Sequence, residues 1–337
     1  MVNSVSVIGT RTRPRLDVAL ALLTVYVIWG STYLAIRFAI ATLPPFLMAG
    51  TRFTLAGALL YGWMRLRGAP RPSAANWRAA LVIGALLLVG ANGVVSWAEQ
   101  RVPSGIAALI IATVPLWMAL LDWLRPGGIR PRVQIALGLL CGFAGVALLI
   151  GPRNWSGSAV DLVGAGAVVF ASFSWAVGSL YSRRAELPAS ALLATSIEML
   201  AAGMLLLLVG TAGGEWARLD PGQVSLHSAL ALGYLVVFGS LIAFSAYVWL
   251  LRATTPAIVS TYAYVNPVVA LVLGWALAGE ALTPRTLLAS AVIVAGVVII
   301  TTQRAGTTPA PGPPEAGLLL EKEREGMYKA GFDNGCL

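Results

Sequence analysis

The chain has 337 residues, 58% of them hydrophobic and 11% charged, with a formal net charge of +9 and a mean hydropathy of +0.81. A soluble domain is about a quarter charged, so this composition excludes an ordinary globular, disordered or fibrous chain and points to a membrane protein with several spans. Two cysteines (Cys141, Cys336), one histidine (His227) and two lysines confined to the tail (Lys322, Lys329) exclude a disulfide framework, a metal site built on Cys or His, an intramembrane Ser-His-Asp triad and a P-loop.

A helix needs about 20 apolar residues to cross the hydrocarbon core, and ten such runs follow in chain order: 18–39, 44–64, 79–98, 103–124, 133–150, 162–182, 189–211, 229–251, 257–279 and 287–302. The first follows a basic segment but is long and leads straight into further spans, so it reads as an uncleaved helix. The second carries Arg52 near its middle and the seventh Glu198. Pro115 and Pro267 sit inside the fourth and ninth runs, where each removes a backbone donor and predicts a helix break. Gly138-Leu-Leu-Cys-Gly142 in the fifth is a close-packing pattern, for contact within the chain or for a homodimer. Beyond 304 a Pro-rich stretch, Gly306-Thr-Thr-Pro-Ala-Pro-Gly-Pro-Pro314, opens a disordered tail.

With the N-terminus inside, the inner segments hold Arg11, Arg13, Arg15, Arg65, Arg67, Arg71, Arg78, Arg125, Arg130, Arg132, Arg183, Arg184, Arg252 and Arg304. The outer ones hold only Arg37, Arg101, Arg153, Arg218 and Arg285. Basic residues are retained on the cytoplasmic face, so both termini are expected in the cytoplasm. The same bias accounts for the positive charge without a nucleic-acid partner.

The halves repeat. Trp29, Arg37 and Gly57 match Trp175, Arg183 and Gly203 at an offset of 146; Leu86–Gly90 with Ser96 matches Leu235–Gly239 with Ser245 at 149; Ala144-Gly145-Val146 matches Ala295-Gly296-Val297 at 151, and Val114-Pro115 falls on Asn266-Pro267 at 152. Five helices per unit force the second unit to enter the membrane from the opposite side. The expected fold is therefore an all-α membrane protein of ten transmembrane helices in two inverted five-helix repeats (5+5). Its parts are a cytoplasmic arm (1–17), the first repeat (18–150), the second, inverted repeat (151–304) and a Pro-rich cytoplasmic tail (305–337).

Several segments carry a family resemblance: Ile28-Trp-Gly-Ser-Thr-Tyr33, Pro44-Pro45 with Met48-Ala-Gly-Thr-Arg-Phe53, Val102-Pro-Ser-Gly-Ile-Ala-Ala108, Tyr262-Ala-Tyr-Val-Asn-Pro-Val-Val269 and Gly279-Glu280. Over roughly residues 18–303 the chain resembles the EamA type of the drug/metabolite transporter superfamily, and within it the YedA-like inner-membrane exporters of bacteria. The resemblance implies a ten-helix fold and export of small organic molecules, with members differing in cargo.

Ionisable groups at mid-membrane face a partner or a wet cavity. Arg52 and Glu198 occupy equivalent positions at the offset of 146, which suggests a buried ion pair; proton coupling through Glu198 is the alternative. Glu99 and Glu280 lie near span ends, where solvation is the expected role, and Glu99 is also placed to line an outer vestibule. Trp29, Asn92, Trp175, Tyr262, Tyr264 and Asn266 are the expected substrate-binding residues, the deep indoles offering apolar walls and free N–H groups. The whole reads as a secondary active transporter of the inner membrane that exports small amphipathic metabolites, amino-acid-like compounds or drugs, by alternating access. The alternative is a passive channel or facilitator. No enzyme activity, cofactor or metal is called for; the partners are a small-molecule substrate and the lipid bilayer, with a homodimer and proton coupling open.

Overall fold

The computed structural model describes residues 15–124, 133–150, 161–254, 256–259 and 261–305. These belong, up to Gln303, to one compact unit. The tail from 306 onward lies outside the described residues, and so does most of the N-terminal arm.

Ten helical rods run through the described residues. They are α1 (Arg15–Ala39), α2 (Pro45–Leu66), α3 (Ala74–Ala98), α4 (Ser104–Leu124), α5 (Val133–Ile150), α6 (Leu162–Ser182), α7 (Ala191–Ala212), α8 (Leu226–Leu250), α9 (Tyr262–Ala278) and α10 (Pro284–Ala305). Seven of them, α1 and α3–α8, are long and apolar enough to cross a membrane; α9 and the Pro284–Ile300 part of α10 are shorter apolar helices. α3 and α8 start before their apolar runs do, and polar caps set the starts of these and of two other rods. Ser73 forms a capping box with Asn76, Asp161 accepts the Gly164 amide, and Ser190 and Ser225 cap α7 and α8.

Large apolar side chains point outward, among them Leu20, Leu59, Trp63, Leu140, Leu208 and Trp275. This is the surface a hydrocarbon solvent favours. The interior instead contains many small and hydroxyl residues. Their hydroxyls bond back to carbonyls of their own helix, as Ser96 does to Asn92, Thr113 to Ile110 and Ser196 to Leu193, which satisfies them where water is absent.

Two helix seams are built on glycine. Along α2 and α7, a Cβ at Gly57 would lie 2.8 Å from the Leu200 amide nitrogen, and one at Gly203 would lie 2.5 Å from that of Thr54. Along α5 and α10, Gly145 faces Ala289 O and Ile293 N, while Gly296 faces Gly138 O and Gly142 N, the last two at 2.7 Å. Each pair is reciprocal: Gly57 and Gly203 are 146 apart, and so are Thr54 and Leu200. Gly145 and Gly296 are 151 apart, and so are Gly138 and Ala289. Exchange of this kind is what a two-fold relation between like surfaces produces. Gly138 and Gly142 are thereby engaged within the chain, which removes them as a homodimer surface.

The third and eighth rods share a defect. Ala85–Gly93 in α3 and Leu235–Ile242 in α8 are π-helical, at the segments the sequence aligns at an offset of 149. A π turn leaves carbonyls poorly paired, and side chains of other rods supply donors: Ser174 Oγ of α6 to Leu86 O (2.8 Å), and Trp29 Nε1 of α1 to Gly239 O (3.2 Å). Of the two prolines, only Pro267 departs from expectation. α4 is interrupted at Ala112–Thr113, just before Pro115, whereas α9 runs on through Pro267.

Candidate functional site

The aromatic residues sort into two groups. Trp29 is boxed by Phe244, Tyr247 and Tyr262, with ring centroids 5.5, 5.1 and 5.3 Å away. Its indole N–H is engaged by the π segment, so it is not free for a ligand as expected. Tyr26 and Thr261 join their hydroxyls beside this box. Trp175 and Tyr264 instead pack, with Tyr33 and Trp97, against the largest core cluster, around Leu109, Ile110, Leu116 and Val168. Asn92 donates to Leu87 O within its own π segment at 3.3 Å. Asn266 is buried, its Oδ1 has no hydrogen-bond partner among the described residues, and its backbone oxygen lies against Gly30 of α1.

Arg52 and Glu198 do not form the expected pair. The Arg52 guanidinium donates to Ser240 Oγ in the second π segment (2.9 Å) and lies over the Phe53 ring. Glu198 is half-buried on α7. The reason is register. Gly50 faces Leu207, Gly57 faces Leu200 and Gly203 faces Thr54, so in this antiparallel seam Arg52 lies level with Leu205. Glu198 is seven residues further back, about 10 Å along the axis.

At one end of the bundle two carboxylates cap helices that cannot cap themselves. α2 and α4 begin after Pro44 and Pro103, neither of which offers a side-chain acceptor, and the first amides of a helix need one. Glu215 accepts from Leu47 N (2.9 Å) and Phe46 N (3.3 Å). Glu280 accepts from Ser104 N (2.8 Å), Ser104 Oγ (2.7 Å), Gly105 N (3.0 Å) and Arg37 (2.6 Å). Each follows a left-handed glycine, Gly214 (φ 68°) or Gly279 (φ 64°), which turns the chain back at a helix end. Each also rests over a helical glycine, since a Cβ at Gly210 would lie 3.1 Å from Glu215 Oε2 and one at Gly274 would lie 2.5 Å from Glu280 Oε2.

Beside the second cap lies Glu99, one residue past the end of α3. It is 5% exposed, and neither carboxylate oxygen has a hydrogen-bond partner among the described residues. Burial pushes its pKa up, nearby Glu280 adds to that, and Arg37 opposes it. Arg101 is turned away, stacked on Trp97 and 4.0 Å from Asp161.

The sequence predicts solvation for Glu99 and Glu280, whereas the structure buries Glu99 and bonds Glu280. The signal for the caps was present in Pro-initiated helices without capping side chains and in two Gly-Glu pairs, 214–215 and 279–280. The pairing of cap to helix was not.

The sequence profile of the EamA-like transporter family matches twice, over residues 17–151 and 162–302. An uncharacterized inner membrane transporter of Escherichia coli K12, YedA, is 45% identical over 282 residues, 83% of this chain and 89% of that protein. An uncharacterized transporter of Synechocystis is 28% identical over 291 residues, 78% of this chain and 83% of that one. The S-adenosylmethionine/S-adenosylhomocysteine transporter of Chlamydia trachomatis is 27% identical over 308 residues, 86% and 90% of the two chains. A crystal structure at 25% identity superposes with a TM-score of 0.58, covering 88% of this chain and all of that one.

Proposed function

The chain belongs to the EamA-like transporter family, and from that premise we propose that it is a secondary active transporter that exports small amphipathic metabolites by alternating access. The observation that carries this reading is the reciprocity of the two glycine seams. Contacts that exchange under the sequence offsets support two five-helix units of inverted topology, ten spans in all, and such units can trade conformations to open a shared site to either side. On the orientation set by arginine bias, both termini are cytoplasmic and the Glu215 and Glu280 caps face the periplasm.

The cargo site of this reading lies between the halves. The Trp29–Tyr247–Tyr262 box offers flat apolar walls, and the unpartnered Oδ1 of Asn266 offers an acceptor for a ligand N–H or O–H, a combination suited to amphipathic molecules. Trp175, Tyr264 and Asn92 belong to the opposite wall. Arg52, held by Ser240, is the deep cation. The break in α4 at Ala112–Thr113, just before Pro115, forms the hinge, with Pro267 in the equivalent position on α9. No catalytic step, cofactor or metal enters.

Proteoliposomes loaded with amino acids, nucleobases, cationic drugs or S-adenosylmethionine test the proposal by counterflow. Accumulation of labelled substrate against its gradient, driven by unlabelled substrate inside, is expected; equilibration without counterflow would favour a passive channel. Asn266→Ala is expected to raise the apparent KM for the identified substrate about 5- to 50-fold, the loss of one buried hydrogen bond, at unchanged membrane insertion. Unchanged transport in that variant would move the site elsewhere.

A further inference from the structure

We propose that Glu99 is a proton-binding site of the bundle end closed by Glu280, and that closing this end takes up one proton from the adjoining water. This rests on the transporter reading for its meaning and adds to it the ion sensed at one gate. An ionised carboxylate that is buried and meets no donor is among the costliest groups a protein can hold, whereas a carboxylic acid there is neutral. Both Glu99 oxygens are in that position.

The neighbours explain why no described side chain relieves it. From α1 come Tyr33 and Arg37, and from the turn after α9 comes Glu280. The Arg37 guanidinium is bonded to Glu280 at 2.6 Å. On the α3–α4 connection Arg101 is directed to Asp161, at the start of α6. Two carboxylates therefore share one committed arginine, and a single proton on Glu99 removes the excess negative charge. Opening this end would hydrate Glu99 and let it ionise.

The sign of the pH effect follows. Burial and Glu280 raise the affinity of Glu99 for its proton in the closed state, so closure is favoured in acid and loses that support as pH rises above the ordinary carboxylate range.

The test needs no substrate. Full-length protein in lipid nanodiscs is followed by hydrogen–deuterium exchange of the Ser104–Ile111 segment, corrected for intrinsic rates, across a pH series in sodium and in choline buffer. Protection is expected to fall with rising pH by up to about tenfold per unit, the limit for one coupled proton, equally in both buffers. Glu99→Gln is expected to stay protected throughout. In infrared difference spectra a protonated carboxyl band should titrate in the wild type and be missing from Glu99→Gln. An unaltered slope in Glu99→Gln, a slope that follows sodium instead of pH, or one abolished by Glu198→Gln and kept in Glu99→Gln would overturn the assignment. Should Glu99→Gln fail to accumulate, Glu99→Met replaces it, and absence of the carboxyl band in the closed wild-type protein is decisive alone. A flat pH response with intact counterflow would sink only the Glu99 assignment, while absent counterflow leaves the exchange result readable.

Discussion

The Glu215 and Glu280 caps solve the same problem with different surroundings. Both lend a carboxylate to the start of a Pro-initiated helix in the other half of the chain, and both use a left-handed glycine to reach it. Glu215 is bonded to two backbone amides, partners that cannot titrate. Glu280 adds a serine hydroxyl and an arginine and sits beside a second, donorless carboxylate. The first is a fixed joint at the end of the α2–α7 seam; the second joins three elements, α1, α4 and α9, through one ion pair and three further hydrogen bonds.

The largest expected effect separates the two directly. Glu280→Gln removes the charge that holds Arg37 and is expected to lower stability by about 2–3 kcal/mol, less than a fully buried pair because Arg37 is over a third exposed. Glu215→Gln keeps an amide oxygen for one backbone N–H and is expected to cost about 1 kcal/mol. Unfolding midpoints in a single detergent compare them; equal losses would mean that the arginine adds nothing.

The glycines beneath the carboxylates sharpen the contrast at smaller scale. Gly274→Ala would place Cβ 2.5 Å from Glu280 Oε2, against 3.1 Å for Gly210→Ala and Glu215. The first is expected to cost about 1–2 kcal/mol by displacing the carboxylate and the second less than about 1 kcal/mol. Faster amide exchange at Ser104 and Gly105 in the Gly274 variant, with Phe46 and Leu47 unaffected, would identify the displacement.

The smallest effect is a coupling. In a cycle of Arg37→Gln and Glu280→Gln, the double variant is expected to recover about 0.5–1.5 kcal/mol of the summed losses, since neither charge is then left alone. Additive losses would show that the 2.6 Å contact carries no net energy.

The all-helical, membrane-spanning character was legible in the sequence because seven of the apolar runs fold into helices of the length a bilayer demands, and α5 and α6 match their runs end to end. The likeness of the two halves was legible in residue type, as in Trp29 with Trp175 and Gly145 with Gly296, and the family profile matches the chain twice. Tertiary packing alone decided who meets whom. The equivalence of Arg52 and Glu198 said nothing about register, and close glycine contacts set the α2–α7 seam so that the charges stand two turns apart. Trp29 looked like a free indole, but the donor it supplies is needed by a π turn of α8, a local defect without a hydropathy signature. Glu280 reaches Ser104 and Arg37 across 176 and 243 positions. Hydropathy follows the local chain and its exchange of water for lipid, while hydrogen bonds and ion pairs depend on distances between groups far apart in sequence, which exist only once the helices have packed.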